Sequence, residues 1–251
     1  MKTFGIYLIV LGHFFSVGNR YVYVFNVPLF FIISGFLCKR ESDNKLFWQK
    51  ITYNLLVPMF LISGVHIVCE FLFGGFDISR MLKNIVCMVI GLKVGLDECW
   101  FIYTLVLIRI IYQYIRSDVY NVLLIFLMLL LSYVYNGYEG GVAGVNIHAP
   151  NAWFVVLLAY PFYFIGAKIK TSKLLLLNLR TIFLAAIPCF LTVIACGYYN
   201  GKVVMYISDY GGYMTLFFAG ALAGSFVVFC ISKFFSKITP PIYSTYLKAP
   251  Y

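Results

Sequence analysis

Apolar residues run through this chain in long uninterrupted blocks, and Gly, Pro and charge gather in the short stretches between them. Read against those breaks, the pattern predicts about eight transmembrane helices, near residues 3–17, 22–38, 52–73, 99–115, 119–136, 153–168, 181–199 and 212–232. A spanning helix needs about 20 mostly apolar residues, so the first two are expected to pack inside the bundle or sit toward one face. A further apolar stretch, 84–97, is too short to cross untilted and reads as a re-entrant or interfacial element. Irregular backbone at membrane depth needs protein or a wet cavity beside it. A cavity is therefore expected beneath 84–97, with Asp97, Glu98 and Trp100 at its rim. The predicted fold is all-α: a polytopic transmembrane helix bundle forming a single domain over 1–251.

Composition agrees with this reading. Apolar residues make up 63% and charged residues 11% of the 251, with a mean hydropathy of +0.92. A soluble domain carries about 45–50% and about 25%, so a single soluble globule and a disordered chain are both excluded. The net charge of +10 would suggest nucleic acid as a partner of a soluble protein. Here no nucleic acid is expected, because the basic residues order themselves by topology.

With the N-terminus cytoplasmic and 84–97 not crossing, the inner side receives Lys2, Lys39, Arg40, Lys45, Lys50, Arg116, Lys168, Lys170, Lys173, Arg180, Lys233, Lys237 and Lys248. The outer side keeps Arg20, Arg80, Lys83, Lys93 and Lys202. The 137–152 loop, without Lys or Arg, falls outside. Lys2 followed by an apolar run resembles a signal peptide, but no small-x-small cleavage site follows, so a first span is expected. Cys38, Cys69, Cys87, Cys99, Cys189, Cys196 and Cys230 are scattered singly without metal-ligand spacing and read as buried thiols, with no metal site.

Polar residues inside the apolar runs are the places to seek chemistry. On a helix, Lys2 and His13 are separated by ~16 Å along the axis and differ by only ~20° in direction, so they share a groove. A neutral imidazole accepts a proton from a hydroxyl within reach, and an ammonium holds an anion at the entrance. A packing histidine with a snorkelling lysine fits the spacing equally well. Pro28 and Pro58 are expected to free backbone carbonyls, and Ser34-Gly35 to permit close helix approach. His66 and Glu70 stand four apart as a solvated ion pair near the outer end. Arg109 lies within a span and is expected to find a carbonyl or tyrosine partner. Trp100-Phe101 and Trp153-Phe154 begin spans where an aromatic belt is expected. No phosphate loop, His-Glu-x-x-His or nucleophile elbow is present.

Taken together, these residues resemble acyltransferase family 3, integral membrane O-acyltransferases that include bacterial sugar and polysaccharide O-acetyltransferases. Lys2 through His13 is similar to the family's basic residue, ten spacers and histidine. Asn26 to Leu37 resembles its Pro-Leu-Phe-Phe-x-x-Ser-Gly-Phe-Leu segment, and Leu55 to Pro58 its following helix break. Weaker echoes are Trp100 to Tyr103 and Phe162 to Gly166.

The resemblance implies an acetyl or other acyl group taken from cytoplasmic acyl-CoA, a co-substrate and not a bound cofactor, and passed to a hydroxyl of a saccharide or lipid-linked glycan. It implies His13 as general base, Lys2 as a contact to the CoA, and Phe30, Phe31, Ser34 and Gly35 shaping an acyl tunnel. Trp100 would join the substrate-binding residues, as would Asn26, which stands where many relatives carry His. The implied location is the inner (plasma) membrane of a bacterium, multi-pass, with membrane lipids as surroundings. Against the family pattern the chain reads as shortened at both ends, with the final family helix missing. Two other classes remain open at this point: a non-enzymatic glycan or small-solute transporter, toward which Pro28, Pro58 and Pro161 point as helix interruptions, and an inactive truncated family member.

Overall fold

The structure is a computed structural model describing residues 6–7, 19–96, 99–136, 152–172 and 178–238. Lys2, His13, Asp97, Glu98 and the 137–151 stretch lie outside the described residues. Eleven named helices follow one another: α1 (Asn19–Tyr23), α2 (Asn26–Leu37), α3 (Asn44–Ile51), α4 (Val57–Phe73), α5 (Ile78–Ile90), α6 (Lys93–Leu96), α7 (Trp100–Tyr114), α8 (Asp118–Asn136), α9 (Ala152–Ile169), α10 (Leu179–Tyr199) and α11 (Met214–Ile238). Among the described residues no strand forms, only an isolated bridge between Val204 and Asp209.

The all-helical expectation therefore holds, but the count of about eight spans is not established. Five helical stretches are long and apolar enough to cross: Asn19–Leu37, Asn44–Phe73, Ala152–Ile169, Leu179–Tyr199 and Met214–Ser236. Trp100–Tyr114 and Asp118–Val134 are apolar but shorter. The expected 3–17 span falls outside the described residues. Large apolar side chains remain exposed along the candidate spans, such as Leu61, Ile62, Val65 and Val68 on α4 and Leu184, Ile187 and Leu191 on α10. Contiguous apolar surface of this kind suits lipid, not water.

The two prolines are placed differently from expectation. Pro28 sits in the first turn of α2, just after a break at 24–25 that separates α1 from α2, so it removes no intrahelical bond. The Asn26 side chain accepts from Val27 N at 2.7 Å at that start. Pro58 lies at the head of α4, and the strain is taken up before it. Residues Thr52–Leu56 widen into a π-helical turn in which Val57 N reaches back to the Thr52 carbonyl. The π turn joins α3 to α4, so helix begins at Asn44 and not near 52. Asp43 caps it, accepting from Lys45 N at 2.9 Å.

The chain divides into two compact units, Met1–Ile33 with Ile169–Val203 and Gly211–Tyr251, and Ser34–Lys168 with Val204–Tyr210. In the first, α10 and α11 pack together, and the α1–α2 break is seated on glycines. Gly197 lies under Tyr21, Gly220 under Val24 and Gly224 under Phe25, with no room for a Cβ. Phe25, Leu29, Ile33, Val193, Ala223 and Val228 make the core behind them. Gly220 and Gly224 form a G-x-x-x-G pair, a spacing that brings helices into close contact.

In the second unit, α6, the last turn of the 84–97 stretch, folds back against α5. A Cβ at Gly95 would collide with the backbone of Asn84 and Met88, and Ser63 Oγ donates to the Leu96 carbonyl at 3.3 Å. The chain turns at Gly91, whose φ of 90° places it in the left-handed region. Trp153 Nε1 then donates to the Ile90 carbonyl at 2.7 Å, closing the end of α5.

Candidate functional site

Five of the expected site residues share α2. A spacing of four places Asn26, Phe30 and Ser34 along one face and Phe31 and Gly35 along another. The faces differ in access: Phe30 and Ser34 are half-buried, whereas Phe31 and Gly35 are buried. Asn26 is buried at 4% exposure beside the helix start. Gly35 is occupied by a helix crossing, since a Cβ there would overlap the Tyr163 carbonyl and press on Ala167 N of α9.

The segment after α2 is fixed to the end of α7 by Arg40. Its Nε, Nη2 and Nη1 donate to the carbonyls of Tyr112, Ile115 and Arg116 at 3.1, 2.9 and 3.0 Å. Its guanidinium lies 4.0 Å from the Tyr112 ring centroid. A cation at the carbonyl end of a helix satisfies groups that have no intrahelical partner and favours the helix dipole. Beside it, Gln113 pairs with the Glu41 backbone in both directions, accepting from Glu41 N at 3.2 Å and donating to its carbonyl at 2.8 Å. Lys50 bonds to the Glu41 carboxylate at 2.7 Å, and Trp48 Nε1 donates to Tyr114 Oη at 3.1 Å. These basic and amide side chains fix the stretch between α2 and α3.

Trp100 is not a member of an exposed belt. It is 7% exposed, against 51% for Trp153, and its ring lies near Phe101 and Tyr206. Thr104 Oγ1 binds the carbonyls of Trp100 and Ala152 at 2.9 and 3.2 Å, anchoring the start of α7. Glu70 is likewise engaged in a way its spacing from His66 did not predict. Asn84 Nδ2 donates to one carboxylate oxygen at 2.8 Å, and Arg80 Nε approaches the other at 3.3 Å. These groups line a small open cleft between α4 and α5. Of the cysteines, Cys87, Cys99, Cys196 and Cys230 are buried as expected, but Cys69 is exposed.

An acyltransferase domain family model matches residues 1–246 of this chain. The chain belongs to acyltransferase family 3. The match covers both the Lys2 to His13 stretch and the whole of α2 through Pro58. No curated protein and no solved structure matches the chain significantly. Family membership and the long apolar helices together make this a multi-pass membrane acyltransferase. Within the acyltransferase 3 chain, sequence reasoning located α2 through its Pro-Leu-Phe-Phe and Ser-Gly residues. It missed the Arg40 clamp, for which the only sequence signal was a basic pair, Lys39-Arg40, directly after a span.

Proposed function

We propose that this acyltransferase takes an acetyl or other acyl group from cytoplasmic acyl-CoA and transfers it to a hydroxyl of a cell-surface saccharide. The observation that carries the reading is the Lys2–His13 pattern, which lies inside the family match. His13 acts as general base: its neutral imidazole accepts the proton of the acceptor hydroxyl as that oxygen attacks the thioester carbonyl. The carbon–sulfur bond breaks, and the CoA thiolate leaves and takes up the proton. Lys2 holds an anionic group of the donor at the entrance. On α2, Phe30, Phe31, Ser34 and Gly35 shape the acyl passage near Asn26. Trp100 shapes the far end of α7. The protein sits in a bacterial inner membrane with its N-terminus in the cytoplasm, as the basic residues order it.

The two roles separate kinetically. His13→Ala is expected to abolish acyl transfer by lowering kcat, while the protein remains in the membrane at normal level. Lys2→Ala is expected to raise KM for acyl-CoA. Transfer by His13→Ala at close to the wild-type rate would overturn the assignment of the base.

A further inference from the structure

Arg109 is an arginine in the middle of an apolar helix, and it has gone unclaimed. No residue of α7 from Trp100 to Gln113 is fully exposed, and Arg109 itself is half-buried. Of the carbonyl or tyrosine partner that its sequence context suggested, the tyrosine is present as Tyr163. Among the described residues Arg109 has no hydrogen bond and no ion pair, and it interacts electrostatically with Tyr163. Among the described residues of this unit, Glu41 pairs with Lys50, Glu70 with Arg80, and Asp118 with Lys168. Asp43 and Asp77 cap α3 and α5.

A guanidinium carries five donors and cannot shed its charge, so leaving it partly desolvated and unpaired is costly. Such a residue within a membrane segment marks a binding or transport function by default. One turn further along, Tyr112 carries the stacked Arg40 guanidinium, and the Tyr112 and Tyr163 rings meet at 5.4 Å. Arg40 gives three of its five donors to backbone carbonyls, whereas Arg109 gives none among the described residues. Two permanent cations beside tyrosines suit a multiply charged anion, and the planar fork of arginine matches phosphate in two-point geometry. Arg109 stands five residues before the end of α7, about 7.5 Å along the axis from the Arg40 clamp. Phosphate groups at a membrane boundary come within reach of that depth.

We propose that Arg109 binds the phosphate of a phosphorylated ligand entering from the Arg40 end of α7. The phosphate belongs either to a soluble nucleotide, as in the acyl donor proposed above, or to a lipid headgroup. Only the nucleotide source rests on the proposed function, and the test uses no acyl transfer, so either reading can fail without the other.

The full-length protein in nanodiscs of mixed phosphatidylglycerol and phosphatidylcholine is compared with Arg109→Leu and Arg109→Lys. Three readouts are taken: thermal unfolding without ligand, calorimetric binding of coenzyme A, and retention of phosphatidylglycerol in native mass spectrometry. Removing an unpaired guanidinium is expected to leave the unfolding temperature unchanged or raised. The leucine variant is expected to bind one probe roughly 10- to 100-fold more weakly, the loss of a charge-assisted hydrogen bond, with the lysine variant between. Weakened coenzyme A binding identifies the nucleotide source, and lost lipid retention identifies the headgroup. Equal binding of both probes by wild type and Arg109→Leu, no binding of either by the wild type, or a variant that only unfolds at lower temperature overturns the proposal.

Discussion

Replacing Arg40 by Ala removes the clamp that fixes the segment after α2 to the end of α7. The loss comprises three hydrogen bonds to the Tyr112, Ile115 and Arg116 carbonyls and the stacking on Tyr112. The three bonds are not equal. The Ile115 carbonyl keeps a second donor, Asn121 Nδ2 at 2.9 Å, and the bond to Arg116 is exposed to solvent. Taking about 1 kcal/mol for each bond, below the ~1.5–3 kcal/mol of charged donors because one carbonyl keeps a second donor and one bond is solvent-exposed, and ~0.5–1 kcal/mol for the stacked cation gives about 3–4 kcal/mol. At roughly 2–4 °C per kcal/mol for a chain of this size, the unfolding temperature falls by about 6–16 °C. Arg40→Lys keeps the charge at the helix end but cannot reach three carbonyls at once, so it recovers less than half of the loss. The assay is thermal unfolding in detergent, followed by a thiol-reactive dye that reports the buried Cys87 and Cys99. An Arg40→Ala protein that melts within about 2 °C of wild type would refute the energetic reasoning.

Two glycines make opposite predictions from the same substitution. Gly35→Ala gains about 1 kcal/mol of helix propensity but forces a Cβ into the Tyr163 carbonyl, and overpacking at about 1–3 kcal/mol leaves it less stable, which unfolding measurements will show. Gly64→Ala, on α4 with nothing within 4 Å of the added carbon, should be more stable by up to about 1 kcal/mol in the same assay. Asn84→Ala takes a donor from Glu70 and should cost about 1–2 kcal/mol, seen as faster hydrogen exchange in α5 than in α10.

Apolar runs located most helices because membrane helices must satisfy their backbone internally, and that demand is written directly into hydropathy. Where neighbours decide, the sequence was less legible. Pro28 reads as a mid-span kink, but a new helix starts two residues earlier and makes it harmless. Pro58 signals a disturbed helix correctly, yet the disturbance lies upstream as a π turn. Trp100 and Trp153 look alike as residues heading an apolar run, and only packing against Phe101 and Tyr206 buries the first. The Gly220–Gly224 spacing could have announced the seat for Val24 and Phe25, but twenty glycines in one chain dilute such a signal. For the site, the Phe-Phe and Ser-Gly residues identified α2, while access to its faces depends on α9 and on the core around Phe25. Arg109 was visible as a charge in an apolar run, and its placement beside Tyr163 is a fact of three dimensions.

The central claim is that this family member transfers an acyl group to a sugar hydroxyl. It is tested most directly with the wild-type protein in nanodiscs, supplied with acetyl-CoA labelled in the acetyl group and with membrane glycan. The account predicts label in an ester on the saccharide and release of free CoA in equal amount, both dependent on the glycan. Glycan moved across the bilayer with no label attached and no CoA released would contradict it.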